Sequence, residues 1–435
     1  MRLRSKIAVG VAFATTTLAT ACAPGSSTSS APEASSAPTT VDFNSFKGKT
    51  LTYVYFTDGP DEQATRTAIS KFEQETGATV NLQIVPYADL NKSLQARVSA
   101  GNAPEVARVA DWHPYATQVV DFKQYFGSTY SSEFAQGEAA VSMDAEGHML
   151  AVPSDLTING PFVNVDAFNK AGVPVPTKWT WDELVASAKK VAAANNMQYA
   201  VAIDKSGHRL STILSQYGTN MLGQGNTNTL DKAKANQALT FFTNLVKDNT
   251  IPKDFWLGSG SKYTGANEIF LASQVPVYLS GPWQIGAFAK NANFKWAAVP
   301  NPCAERCGGY PGGKFMVAFK TSKEPALAAA FVQWMNRTAN QSEVDKTAFW
   351  LPTRQDLSTS GVQYASRGDD MAVFVKEIPA TPTDTYAGAF SPPFTQSATA
   401  LINETDKVVA GQQDVSTAVD NVSAAIDKAI KASAP

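Results

Sequence analysis

The chain is poor in the residues from which metal centres and nucleophilic sites are built. Its 435 residues include three cysteines and three histidines, His113, His148 and His208. A zinc site needs several nitrogen or sulfur ligands at close spacing, and this inventory supplies no such set. There is no G-x-S-x-G, no H-E-x-x-H and no P-loop. The hydrolase and nucleotide chemistries those motifs carry therefore lack their residues, and no metal or cofactor is expected. No basic stripe is present and the formal net charge is −2, which argues against nucleic acid as a partner. Long apolar runs are missing too. The stretch from Ile7 to Leu18 is too short to span a bilayer, and no later segment is long and apolar enough. No repeat of solenoid period is visible.

What is present begins with export. Arg2, Arg4 and Lys6 form a basic start, Ile7 to Leu18 an apolar stretch, and small residues lead to Ala19-Thr20-Ala21-Cys22. This is the layout of a signal peptide over residues 1–21. A cysteine after small residues at the cleavage point resembles the bacterial lipobox, with the aliphatic Leu18 one place early and Ala19 in its usual slot. Acyl chains on Cys22 would each add about 0.8 kcal/mol per buried methylene, enough for a firm anchor. Cleavage removes three cations and no acid, taking the net charge from −2 to −5. Cys303 and Cys307 then remain as an even pair in an exported chain and read as a local disulfide, which stabilises by about 2 kcal/mol on the chain-entropy model.

Residues 22–46 are the anchor and a tether, since the run from 23 to about 41 is Ser, Ala, Pro, Thr and Gly and cannot bury a core. The remaining length implies at least two packing units. The body opens β-α-β-α-β: a strand at 51–56, a helix at 61–76 stopped by Gly77, a strand at 80–84, a helix at 88–100 stopped by Gly101, and a strand at 106–110. Such alternation implies parallel pairing, with ligands expected beyond the carboxyl ends of the strands. That rule points to Thr57-Asp58-Gly59 and to Asp111-Trp112-His113. Thr180 and Glu183 fit a capping box with Trp179 and Leu184 as its hydrophobic staple, so a helix runs from Trp181 to about Ala194. Val415, Val419, Val422, Ile426 and Ile430 recur at helical spacing and close the chain with a helix.

Several blocks together resemble the extracellular solute-binding proteins of carbohydrate ABC importers, related to maltose-binding protein. They are Lys71-Phe72-Glu73-Gln74-Glu75-Thr76-Gly77, Ala100-Gly101-Asn102-Ala103-Pro104-Glu105-Val106, and Phe162 to Phe168 followed by Ala171-Gly172 and Trp179 to Glu183. Val277 to Trp283 and Leu351-Pro352-Thr353-Arg354 complete the series. The resemblance implies an α/β, two-lobed periplasmic-binding-protein-like fold with a central ligand cleft and three interlobe crossovers near 153–159, 311–316 and 349–354. One lobe is then 47–155 plus 316–350 and the other 159–311 plus 354–435. It further implies a monomeric binder, not an enzyme, that passes a di- or oligosaccharide to permease subunits and their ATPase from the outer face of the cytoplasmic membrane.

A sugar site needs flat rings for C–H faces and polar groups for hydroxyls. The candidate contacts are Trp283, after Gly281-Pro282 at a strand end; Asp111 and Trp112; Thr57 and Asp58; Asp155 and Trp350 beside crossovers; and the backbone of Gly312 and Gly313, with Lys314 next to them. Asp58 and Asp111 could equally cap helices. The two glycines suit a crossover through their conformational freedom. Trp256, Tyr263 and His208-Arg209 read as surface loops. One alternative keeps transport but takes glycerol 3-phosphate or a glycerophosphodiester, with Arg209, Lys314 and Arg354 as donors. A glycoside hydrolase would need two facing carboxylates, and nothing specifies such a pair. A purely adhesive lipoprotein would need no closable cleft.

Overall fold

The computed structural model describes residues 42–57 and 60–433. The signal peptide, Cys22, most of the tether and Asp58 lie outside the described residues. The folded body begins with β1 (Thr50–Tyr55), α1 (Pro60–Thr76), β2 (Thr79–Ile84), α2 (Tyr87–Ser99) and β3 (Val106–Val109). β1 pairs parallel with β2 from Thr50↔Thr79 to Tyr55↔Ile84, and with β3 on its other side. The chain continues through β4 (Val152–Ile158) and β5 (Gly160–Asn164) to α3 (Trp181–Ala194), β6 (Val201–Ile203), α4 (Gly207–Gln216), β7 (Val277–Ser280), β8 (Trp296–Ala298) and β9 (Pro311–Ala318). Helices α5 (Pro325–Met335) and α6 (Thr338–Ala348) follow, and α7 (Phe394–Val409) and α8 (Val415–Ala432) end the described chain.

These strands make two sheets. The first has the order β2-β1-β3-β9-β4, with β9 antiparallel to both neighbours; the second has the order β8-β5-β7-β6. Strand periodicity gives each sheet two cores. In the first, Val54, Phe56, Ala107, Val109, Phe315 and Val317 face one layer, while Tyr53, Tyr55, Val106, Met316 and Ala318 face the other. In the second, Val163, Val201, Val277 and Leu279 oppose Phe162, Ala202, Tyr278 and Trp296. Both faces are covered, which is why these strands read as nearly continuous apolar runs.

Two stretches of chain pass between the sheets, β4 leading into β5 through Asn159 and residues 299–310 returning from β8 to β9, and residues 349–354 run beside them after α6. They lie side by side: Gly312 is in register with Thr157, and the Leu156 and Leu351 amides each donate to the other's carbonyl at 3.0 and 3.2 Å. The capping box at α3 is complete, with Thr180 N donating to Glu183 at 2.7 Å and Glu183 N to Thr180 Oγ1 at 3.2 Å. Trp179 and Leu184 of its staple are buried. The disulfide Cys303–Cys307 closes a turn pinned to that helix start, since Cys303 N donates to Trp179 O and Trp181 N to Cys303 O. Among the described residues no helix is long and apolar enough to cross a membrane.

Candidate functional site

The sheets meet around a cleft of about 280 Å³, near the lower end of the roughly 300–1,000 Å³ usual for small-molecule sites. The first lobe contributes Phe56 at the end of β1, Tyr87 and Asn91 at the start of α2, and Asp111-Trp112-His113 after β3. The second contributes His208 and Arg209 at the start of α4, Trp283 after β7, and Phe390 and Phe394. Thr157, Asn159, Gly312, Gly313 and Lys314 form the floor on the passing strands.

Trp283 is half-buried, and its pose is set by the glycine two residues earlier. A Cβ on Gly281 would lie 2.0 Å from Cζ3 and 2.2 Å from Cη2 of the indole, so the ring folds back into space that only glycine leaves. The guanidinium of Arg209 lies 4.6 Å from the ring centre. Arg209 is itself fixed by Asp204 at 2.6 Å and by Asn159 Oδ1 at 2.8 Å. Asp204 also accepts from Ser280 Oγ at 2.7 Å and from the Tyr278 hydroxyl. One carboxylate thus ties the ends of β6 and β7 together behind the aromatic face. Opposite, Asp111 accepts from His113 N at 3.0 Å and meets its Nδ1 at 2.7 Å, so it caps a short turn and lines the cleft at once. Trp112 is 2% exposed, with its ring stacked on His113 at 4.0 Å and its Nε1 donating to Val141 O. It supports that wall from beneath. His208 is enclosed by the rings of Phe394 and Tyr310. Burial, then Arg209 and Lys314, push its pKa down to about 3, so it stands neutral.

Of the residues singled out from sequence, the fold brings Asp111, Trp112, Trp283, Gly312 and Gly313 together and leaves three elsewhere. Asp155 lies within the first sheet, 1% exposed, with Oδ2 2.9 Å from Arg108. Trp350 is buried as well, 4.4 Å from the same guanidinium. Arg108, donating also to Phe56 O at 2.9 Å, draws both into the lobe interior. Thr57 turns its hydroxyl to Asp61 at 2.8 Å, at the start of α1, and does not line the cleft. The two glycines are present for close approach and not for unusual torsions: a Cβ on Gly313 would lie 2.6 Å from the Asp155 carbonyl, and neither has positive φ.

His208 and Arg209, read from sequence as a surface loop, line the cleft, as do Phe390 and Phe394, which nothing in the sequence singles out. His208 and Arg209 follow β6, and the strand-end rule would have found them had that three-residue strand been recognised. Phe390 and Phe394 flank Pro392-Pro393, with no periodic signal to mark them. Trp256 is a correction in the other direction, being fully buried against Phe242 at 4.7 Å and not on the surface. Arg354 is held by Glu133 at 2.8 Å and Asp356 at 3.0 Å, away from the cleft. Among the described residues, Asp144, Glu146 and His148 bring possible metal-ligand atoms within 4.8 Å on an exposed turn that does not line the cleft.

A family profile described as bacterial extracellular solute-binding protein matches residues 67–369. The sn-glycerol-3-phosphate-binding periplasmic protein of Rhizobium meliloti is 23% identical over 83% of this chain and 86% of its own. Among solved structures, an ABC substrate-binding protein of Listeria monocytogenes in complex with cycloalternan superposes with a TM-score of 0.75 at 21% identity, covering 87% of this chain and 98% of that one. The maltose/maltodextrin-binding domain of Bdellovibrio bacteriovorus bound to maltotriose gives 0.74 at 16%, covering 88% and 100%. Two sheets joined by adjacent passages around a cleft, with that profile spanning most of the folded body, are explained together: the chain belongs to the bacterial extracellular solute-binding proteins, a family of binders and not of catalysts.

Proposed function

We propose that this protein captures a carbohydrate in the cleft and hands it to the permease of an ABC importer, held at the membrane by lipid on Cys22. The family is extracellular, so capture takes place outside the cytoplasm. The observation that carries the carbohydrate reading is the half-buried indole of Trp283, backed by Arg209 and facing a cleft with Asp111, Thr157, Asn159 and Lys314. An aromatic face beside hydroxyl-seeking groups suits a pyranose, whose C–H face is apolar and whose rim is polar. Neighbours in complex with cycloalternan and maltotriose support the same chemistry. Contacts from both lobes are complete only when the lobes approach, so binding favours the closed form, which the permease distinguishes from the open one.

The relative that binds sn-glycerol 3-phosphate motivates a second reading. Of its expected donors, Arg209 and Lys314 line the cleft, but Arg209 is already engaged by Asp204. A dianionic phosphate calls for several converging donors, so carbohydrate is favoured. The test is a thermal-shift screen with mono-, di- and trisaccharides and glycerophosphates, followed by titration of Trp283→Ala. The carbohydrate reading expects a loss of at least about 1.5 kcal/mol, over tenfold in affinity. Unchanged saccharide binding by the variant, or stabilisation by glycerol 3-phosphate alone, counts against it.

A further inference from the structure

Lys314 stands on the cleft floor, where among the described residues its ammonium makes no ion pair, and its Nζ lies 5.8 Å from the Phe56 ring. The acid opposite it in the β4–β9 ladder is Asp155, whose carboxylate is engaged by Arg108 at 2.9 Å. Arg209 is bound to Asp204 at 2.6 Å, and the acid on the opposite wall, Asp111, is hydrogen-bonded to His113 at 2.7 Å. His208 sits in the combined positive field of Arg209 and Lys314, which with burial holds it neutral. A half-buried ammonium over an aromatic ring is partly stripped of water, and its Coulomb interaction with a bound anion is correspondingly stronger than at the open surface.

We infer that the solute carries one negative charge beside its hydroxyls, and that Lys314 is the residue that reads it. Resting on the carbohydrate reading above, this narrows the ligand to a singly charged acidic saccharide. The charge is the carboxylate of a uronic acid. A single uncommitted cation matches a single charge, whereas a dianionic phosphate monoester would need a second donor that Asp204 already occupies.

The test is calorimetric titration of the purified full chain with a neutral saccharide (maltotriose), a disaccharide with one glucuronate, and glycerophosphoglycerol. The glucuronate disaccharide is expected to bind at least about tenfold tighter than maltotriose, weakening as salt is raised. Lys314→Met should cost the glucuronate disaccharide at least about tenfold more affinity than it costs maltotriose, and Lys314→Arg should retain most of the preference. Tightest binding of glycerophosphoglycerol would remove the carbohydrate reading and the inference with it. The inference is overturned if maltotriose binds as tightly as the glucuronate disaccharide, or if Lys314→Met weakens both alike. Saccharide binding that depends on Trp283 and ignores Lys314 would leave the carbohydrate reading standing and remove only the charge. Absence of binding by all three would remove both.

Discussion

Gly281→Ala adds one methyl group to a backbone already extended at φ −179°, so the backbone itself resists nothing. The added carbon would meet the indole of Trp283 at 2.0, 2.2 and 2.7 Å, and an ordinary contact is 3.4–4 Å. The ring must therefore retreat by at least the difference between 2.0 and 3.4 Å. It cannot withdraw straight back, because Arg209 lies 4.6 Å from its centre and is fixed by Asp204 and Asn159. Two contributions are then at risk. The cation–π contact is worth about 0.5–2 kcal/mol, and the platform for a sugar face about 1.5 kcal/mol or more. A displaced platform should lower saccharide affinity by about tenfold or more, with little effect on folding, since the changed atoms lie at the cleft edge. Calorimetric titration measures the first quantity and urea unfolding the second, while tryptophan fluorescence reports the altered ring environment. Affinity within twofold of the parent, with unchanged fluorescence, would refute the claim that Gly281 sets the pose of Trp283 and that this pose makes the site.

Further outcomes follow from the buried charges. Arg108→Met removes the buried cation that Asp155 and Asp61 face inside the first lobe at 2.9 and 3.5 Å. Loss of a buried partner costs about 3–5 kcal/mol, and a urea-measured loss below about 1 kcal/mol would contradict this role. Stability should also depend on pH from both sides. His208 has its pKa lowered from 6.5 to about 3 by burial and by Arg209 and Lys314, so between those values the unfolded chain holds a proton that the fold rejects. Its contribution is lost as pH falls through that window. Glu138 is raised from 4.5 to about 8 by burial and by Asp155, so the fold holds a proton the unfolded chain releases, and its contribution is lost as pH rises from 4.5 to 8. Urea midpoints across pH should show a shallower acid limb in His208→Gln and a shallower alkaline limb in Glu138→Gln; slopes identical to the parent would refute both assignments.

Local order was legible wherever one residue type has one physical use. Thr180 and Glu183 at capping-box spacing place the start of α3 at Trp181, and the helix starts there. The strands at 51–56, 80–84 and 106–110 and the helices between them lie within a residue or two of β1, β2, β3, α1 and α2. What sequence could not supply was the antiparallel insertion of β9 between β3 and β4, because strand direction depends on a return from the other lobe far along the chain. β6 escaped for a simpler reason: three residues, Val201–Ile203, give no measurable period. With it went His208 and Arg209, whose position at the cleft follows from that strand's carboxyl end.

The site itself divides along a physical line. The strand-end rule selects positions and says nothing of where a side chain is needed. Asp111 and Trp283 line the cleft because each lies past the last ladder bond of its strand, where the cleft is what remains to face. Asp155 was misassigned because it lies inside a ladder, three residues before Ile158, where Arg108 could claim it. An acid near a crossover is ambiguous until the cation that might bury it is located, and that cation sits 47 residues earlier in the chain. Trp350 shares the ambiguity, since a ring beside a crossover can face ligand or cover a guanidinium, and here it covers Arg108. Withdrawing both from the cleft changes its chemistry. The acidic wall expected from sequence shrinks, among the described residues, to Asp111, while Lys314 loses the neighbour in its ladder that would have cancelled its charge. The same ion pair that stabilises the first lobe therefore leaves the floor of the cleft positive, and it is this coupling between Arg108 and Lys314, through Asp155, that makes the charge of the solute a property to be measured first.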